Sequence, residues 1–228
     1  MIVILQGRIG SNRLPAKGFL NFFDKTIWER ICLIAKDISG VEKIVFATGS
    51  DKKNLVAKEY IENLGINFFV GDEDNVLSRF QEIINSSKSE YFLRLTCDNY
   101  LIQPEVIEKL FLRMKTESTD YAYVQPLSHF SGEIININFF KKFYEDTAPS
   151  EMAKEHVTYD IRNSKRVKKT IAGSNFLGID HAKSLTLDTL EDYVHLKTIE
   201  NLYPKLKDIR CIDEIKKLQT ETKDDFFN

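Results

Sequence analysis

The stretch that decides the fold is IVILQGRIGSNRLPAKG, residues 2–18. Ile2 to Leu5 is a short, uninterrupted apolar run rich in β-branched residues. That is the composition of a strand covered on both faces. At Gln6 the chain turns polar and gathers Arg8, Arg13 and Lys17 around Gly10 and Ser11. A glycine-containing loop can turn backbone N–H groups toward phosphate oxygens. Arginine adds planar two-point contacts and lysine a compact charge. The loop suits a di- or triphosphate, with a solvated basic loop as the alternative. It is not a Walker A loop, because GxxxxGK[ST] does not fit it.

Outward from this stretch, apolar runs alternate with helical spacing. Ile27, Ile31, Ile34 and Ile38 recur as on a helix, and Lys43 to Thr48 reads as a second strand. Leu55, Val56, Tyr60 and Leu64 mark a helix stopped at Gly65, followed by a strand from Ile66 to Val70. Val76, Leu77, Phe80, Ile83 and Ile84 form the next helical face, then Tyr91 to Leu95 a strand. A helix carrying Val106, Ile107, Leu110, Phe111 and Met114 follows Pro104, and Tyr121 to Gln125 is a fifth strand. Such alternation predicts an α/β fold, a mostly parallel sheet with helices on both faces. Ligands of such sheets sit beyond the C-terminal strand ends. The loops to inspect are therefore 6–18, 48–52, 71–75 and 96–103.

From about residue 126 the rhythm breaks. Strand-like pieces (Ile134 to Ile137, Thr170-Ile171) and a helix-like stretch near 139–145 predict an antiparallel excursion or a dimerisation segment. Helices are expected from Leu190 to about Leu202 and from Asp213 to Leu218. The tail after Thr220 is polar except for Phe226 and Phe227. With no repeat and no low-complexity linker, residues 1–228 read as one domain, divided into 1–125, 126–193 and 194–228.

Composition narrows the function. The 228 residues carry 32 Lys+Arg against 34 Asp+Glu, a net charge of −2, which gives no basic footprint for bulk nucleic-acid binding. A hydrophobic share of 43% supports a core and argues against disorder. Cys32, Cys97 and Cys211 are odd in number and far apart, so buried reduced thiols are expected. Met1 to Leu5 is too short for a signal peptide, and no apolar run approaches the roughly 20 residues of a membrane span. The expectation is a cytoplasmic protein with no nucleic-acid partner and no membrane insertion.

Four further stretches can carry chemistry. Asp98, in Arg94-Leu-Thr-Cys-Asp98-Asn99, follows the fourth strand, where a carboxylate can hold Mg²⁺, cap the helix near Pro104 or sit in a turn. Asp188 lies beside Thr189-Leu-Glu-Asp192, loosely a capping box, so it is either a strand-end carboxylate or part of a cap. His156 sits among Glu155, Asp160 and Arg162, a structural histidine or a substrate contact. Asp72, Glu73 and Asp74 follow Gly71 as a solvated turn or a ligand-facing edge.

Together these stretches resemble the sugar-activating cytidylyltransferases, in particular the spore coat polysaccharide biosynthesis protein F family, relatives of the enzymes that make CMP-Kdo and CMP-sialic acid. QGRIGSNRLPAKGF (6–19) is similar to the family's Q-A-R-x-G-S-x-R-L-P-x-K loop, and GDEDNVLSRF (71–80) to G-x-x-D-V-L-x-R-Y/F. RLTCDNYLIQP (94–104) resembles R-x-T-G-D-x-P-L-I-x-P, EHVTYDIR (155–162) resembles E-H-V-T-x-Y-I-x, and LTLDTLEDY (185–193) resembles L-T-L-D-T-x-E-D. The motifs stand in family order over residues 1–193.

The resemblance implies a Rossmann-like three-layer α/β/α fold of the nucleotide-diphospho-sugar transferase type, usually dimeric. It implies transfer of CMP from CTP to a sugar, an ulosonic acid or related surface-glycan sugar, with release of pyrophosphate. Residues 1–125 become the nucleotide-binding half and 126–193 the acceptor and dimerisation segment. Arg8, Ser11, Arg13 and Lys17 would contact the triphosphate, with Gln6, Gly10, Gly71, Asp72, Arg94 and Thr96 among the nucleotide-binding positions. Asp98 and Asp188 would hold Mg²⁺. Arg8, Lys17 and Asp98 would be catalytic, and His156 would meet the acceptor or help deprotonate its hydroxyl.

The chain also departs from the pattern. Gly7 stands for Ala, Cys97 for Gly, Tyr100 for Pro and Val70 for a frequent Arg. Ile134 and Asn136 occupy acidic positions of the family's G-x-D-V-E. Two other readings are a glycosyltransferase using a sugar nucleotide and a non-catalytic nucleotide-binding homologue. Asp98-Asn-Tyr100 lacks the second acid of a DxD site.

Overall fold

Each main strand sends alternate side chains into two separate apolar layers, as the period of two dictates. In the computed structural model, which describes residues 1–183 and 185–220, β1 (Ile2–Gln6) lies near the middle of a seven-stranded sheet. Val3 and Leu5 of β1 enter one layer, and Ile2 and Ile4 the other. A two-stranded hairpin, β2 (Asn21–Phe22) and β3 (Lys25–Thr26), leads into helix α1 (Ile27–Asp37). Thr26 caps α1, its hydroxyl accepting the Glu29 N–H at 3.1 Å. Then come β4 (Lys43–Gly49), α2 (Lys58–Asn63), β5 (Asn67–Gly71), α3 (Val76–Asn85), β6 (Tyr91–Thr96), α4 (Pro104–Glu117) and β7 (Tyr121–Val124). Gly65, at φ 70°, ends α2 in the left-handed region that glycine tolerates.

The second half completes the sheet. It contributes β8 (Glu133–Asn136), α5 (Ile137–Asp146), α6 (Glu151–His156), α7 (Tyr159–Asn163), β9 (Lys169–Ala172), α8 (Leu190–Leu202) and α9 (Ile212–Thr220). The strand order is β5-β4-β1-β6-β8-β7-β9, all parallel except β8. α1, α4, α8 and α9 cover one face, and α3, α5 and α7 the other. The expected Rossmann-like three-layer architecture is what the chain adopts. The chain leaves β1 for β4 and β5, then crosses back to β6 on the other side of β1. That reversal opens a crevice at the C-terminal ends of β1 and β6.

The predicted antiparallel excursion is β8, inserted between β6 and β7. Three expectations change. Residues 151–163 form two short helices rather than irregular chain; six and five residues are too few to display a helical period. Ser150 caps the first of them, accepting the Ala153 N–H at 3.1 Å. No strand precedes Asp188: residues 185–188 are extended chain leading into α8. Ile134 is buried at the register partner of Leu93 and Ala122, and Asn136 caps α5. Both former acid positions therefore serve the core and the helix, not a site. The tail after Thr220 lies outside the described residues, among which no helix is long and apolar enough to cross a membrane. Cys32, Cys97 and Cys211 are buried and unpaired, and burial pushes the Cys32 thiol up to about 12.

The basic loop ends on α1. Gly18 packs against the Trp28 indole so closely that an added Cβ would lie 2.1 Å from the ring. Gly18→Ala is expected to overpack this contact at a cost of about 1–3 kcal/mol. The corresponding fall in Tm is roughly 2–12 °C for a chain of this size. An unchanged Tm by calorimetry would mean that Trp28 gives way freely.

Candidate active site

Three chain segments meet at one ammonium group. Lys17 Nζ donates to Asp98 Oδ2 at 3.1 Å, to Asp188 Oδ1 at 2.8 Å and to the Leu187 carbonyl at 2.8 Å. Lys17 opens the short turn Lys17–Phe19 at the end of the first loop, Asp98 follows β6, and Asp188 precedes α8. Backbone pairing sets the distance between the last two: the Leu187 N–H donates to the Asp98 carbonyl at 3.1 Å. The capping alternatives resolve locally. Thr189 and Asp192 form a full capping box on α8, so Asp188 is free to face Lys17. Gln103 is the N-cap of α4, so Asp98 is not a helix cap.

This cluster lies in a cleft of about 1140 Å³. Gln6, Arg8, Ser11, Arg13 and Lys17 from the loop, Thr96 and Asp98 from the end of β6, and Asp188 all line it. The loop is braced by its own backbone, Ala16 N–H to the Ile9 carbonyl at 3.0 Å, and by Asn54, whose Oδ1 accepts the Ile9 N–H at 2.9 Å. Arg13, largely exposed, reaches Asp188 Oδ1 at 3.1 Å. Asp72 also lines the cleft, its carboxylate accepting the N–H groups of Asn75 and Asp74 at 2.7 and 2.9 Å. Those backbone donors hold its carboxyl below the ordinary value.

Some expected residues lie elsewhere. Gly10 is exposed and off the cleft wall, and Gly71 is packed against the side chains of Arg79 and Phe69. Arg94 is turned into the protein, donating through Nε to Gln6 Oε1 at 3.1 Å and pairing with the buried Glu133. Its strand position puts it on the α3–α5 face, not at the strand tip. His156 is exposed at the C-terminal end of α6, off the cleft. The same helix presents Met152, Lys154 and Glu155 to the cleft instead. Glu155 belongs to the stretch named from sequence around His156, whereas Met152, Lys154 and Glu133 were not singled out. For Glu133 a signal existed, one acid and one arginine each alone in an apolar strand. Gly7 replaces the family alanine against Phe46, whose ring would lie 2.6 Å from an added Cβ.

The donor set fits Mg²⁺. Two carboxylates converge on a single cation-binding point, and Mg²⁺ is usually held by one or two carboxylates plus phosphate and water oxygens. Among the described residues no group of three or more His, Cys, Asp or Glu forms a protein-only metal cage.

Burial pushes the Asp188 carboxyl up, but the hydrogen bond and charge of Lys17, with Arg13 behind them, outweigh it and hold it below 3.8. The stability this pairing contributes is therefore present above pH 3.8 and lost as pH falls through the lower folded-state value. In Lys17→Met without divalent cations, the Asp188 carboxyl is expected to titrate higher than in the wild type by ¹³C NMR, and the acid limb of stability to flatten. An unmoved titration would remove Lys17 as the cause.

Comparison with known proteins agrees with this geometry. Residues 2–226 match the family model for cytidylyltransferases. The spore coat polysaccharide biosynthesis protein SpsF of Bacillus subtilis is 28% identical over 208 residues, covering 87% of this chain and 85% of that protein. The 3-deoxy-manno-octulosonate cytidylyltransferase of Escherichia coli is 21% identical over 118 residues, 51% of this chain and 46% of that one. A cytidylyltransferase from Leptospira borgpetersenii shares the fold with a TM-score of 0.81 at 21% identity, over 96% of this chain and 94% of that one. A CMP:2-keto-3-deoxy-manno-octonic acid synthetase solved with CTP shares it with a TM-score of 0.64 at 14% identity, over 90% and 98%. A basic loop after β1, two carboxylates across the switch point and a family match over nearly the whole length lead to one conclusion: the chain belongs to the cytidylyltransferases, nucleotidyltransferases that use CTP.

Proposed function

We propose that the chain transfers CMP from CTP to a hydroxyl of a surface-glycan sugar, an ulosonic acid or a related sugar, and releases pyrophosphate. The observation that carries this reading is Lys17 held between Asp98 and Asp188 at the mouth of a basic loop. The spore coat polysaccharide name of one relative and the octulosonate substrate of another support the sugar.

The chemistry follows from charge. The acceptor oxygen forms a bond to the α-phosphorus while the bond from that phosphorus to the pyrophosphate oxygen breaks. The hydroxyl proton leaves to solvent. Negative charge grows on the leaving pyrophosphate, so catalysis is mostly positioning and electrostatic stabilisation. Arg8, Ser11, Arg13 and Lys17 bind the triphosphate, and Arg13 and Lys17 neutralise the leaving group. Asp98 and Asp188 are the carboxylates that would hold Mg²⁺, whose charge stabilises phosphate oxygens when bound. A homodimer belongs to the same reading and is tested by sedimentation.

The decisive measurement is pyrophosphate release with each of the four nucleoside triphosphates, Mg²⁺ and a panel of ulosonic acids and other sugars. Release is expected with CTP and an acceptor, and is expected to stop on chelation with EDTA. Lys17→Ala and Asp98→Asn should each lower kcat by about 10²–10³, the cost of removing one stabilising group. Release with another nucleotide only, or sugar transfer from a preformed CMP-sugar, would overturn the proposal.

A further inference from the structure

Among the described residues Glu133 is the most deeply buried acid, and four partners surround it. It accepts hydrogen bonds from Arg94 and the Tyr121 hydroxyl, from Thr158 Oγ1 at 2.7 Å, and from Arg162 Nη1 at 3.4 Å. Glu133 stands opposite Arg94 in the antiparallel β6–β8 register, on the sheet face covered by α3, α5 and α7. Burial pushes its carboxyl up, but the two guanidiniums and two hydroxyls outweigh burial and keep it below the ordinary value, so it is charged at neutral pH.

The cluster itself lies off the cleft but is joined to residues that line it at two points. On one side Arg94 donates to Gln6, which lines the cleft beside the basic loop. On the other, Thr158 is the residue between α6 and α7. The joint is strained: Val157, β-branched and buried, has φ 37° and ψ −53°, a conformation such residues rarely adopt. Strain of this kind persists only where the surroundings over-determine it. Here the Val157 carbonyl accepts the Tyr144 hydroxyl at 2.8 Å, and Thr158 binds Glu133 one residue further on. The α6 thus fixed places Met152, Lys154 and Glu155 on the lining of the same cleft as the loop that carries the phosphate-binding cations.

We propose that Glu133 is a positioning residue that sets the acceptor wall of the cleft: through Thr158 it fixes α6 against the cleft that the basic loop also lines, with Met152, Lys154 and Glu155 as the surface the acceptor sugar meets. This assignment rests on the cytidylyltransferase reading for the word acceptor, but the mechanical link from Glu133 to α6 does not. The chain carries Glu133 one residue before the first of the two acid positions it lacks, Ile134 and Asn136, and the carboxylate is directed to structure instead of to the ligand.

The test uses Thr158, because removing the buried carboxylate itself would leave two arginines without a counter-charge. Thr158→Val keeps the shape and deletes the hydroxyl, and Thr158→Ser restores it. Hydrogen exchange followed by mass spectrometry is expected to speed up in residues 151–157 of Thr158→Val and to return to the wild-type rate in Thr158→Ser, with the core strands unchanged. Wild-type exchange in Thr158→Val overturns the link, whatever the enzyme's substrates. In the pyrophosphate assay, Thr158→Val should raise KM for the acceptor by about tenfold, the scale of one lost hydrogen bond to a charged group. KM for CTP and kcat should stay within about twofold, and Thr158→Ser should recover the acceptor KM. A rise in KM for CTP instead, or an unchanged acceptor KM, overturns the assignment of α6 to the acceptor. Absence of turnover in the wild type would count against the proposed activity alone, and the exchange experiment still decides the link.

Discussion

The ammonium of Lys17 holds the basic loop, the end of β6 and the segment before α8 together. Asp98 and Asp188 are like charges that reach the same point from segments 81 and 171 residues away from the lysine. Without a cation between them they would repel, and part-burial would make the repulsion costlier than in water. The cation lets the chain dock residues 185–188 against the end of β6, where the Leu187–Asp98 backbone bond completes the contact. The interaction that closes the site, a cation placed between oxygen anions, is thus of the same chemical kind as the one proposed for the triphosphate.

A second buried ion group lies behind the first on the opposite sheet face. Glu133 with Arg94 and Arg162 is enclosed, whereas the Lys17 group opens to the cleft. The enclosed group has its hydrogen-bonding capacity met within the protein, which is the condition for a buried ion pair to be tolerated. Gln6 lies between the two, with its side chain on Arg94 and its surface on the cleft. Arg30 does a related task at the C-terminal end: buried beneath Tyr100, it donates to the carbonyls of Tyr100, Lys207 and Asp208 and so pins the chain leading into α9. The helices on both faces are thereby tied to the strands that carry the site.

Most of the first 125 residues were legible because their elements are long enough to show a period and lie in chain order. The exception is α2, only six residues long, where Leu55 and Val56, expected on its helical face, stand exposed in a separate 3-10 turn over Lys52–Ala57. The helices carrying Ile27 and Val106 and the strands starting at Ile2 and Tyr91 stand where the pattern puts them. The second half was less legible for a physical reason. α6 and α7 are shorter than two turns, and their positions follow from Thr158 and Val157 meeting groups on distant strands. The candidate site divides in the same way. Lys17, Asp98 and Asp188 do come together, while Arg94 and His156 do not reach the cleft. A motif specifies which residue types occur, but a side chain's direction is set by strand alternation and helix phase. Arg94 sits on the inward phase of β6, and His156 stands one residue past the part of α6 that faces the cleft.

The sequence by itself determined the strand and helix identities of the nucleotide half, the parallel sheet, the chemistry of the basic loop and the pairing of apolar residues with two layers. These depend on local spacing and on residue type, which need no partner. Only the tertiary structure decided that β8 fills the slot between β6 and β7, that Glu133 meets Arg94, and that Asp188 joins Asp98 around Lys17. Each of those depends on a contact between segments far apart in the chain. Such contacts are selected by register and by the requirement that every buried charge find its counter-charge, and neither is written in the spacing of neighbouring residues.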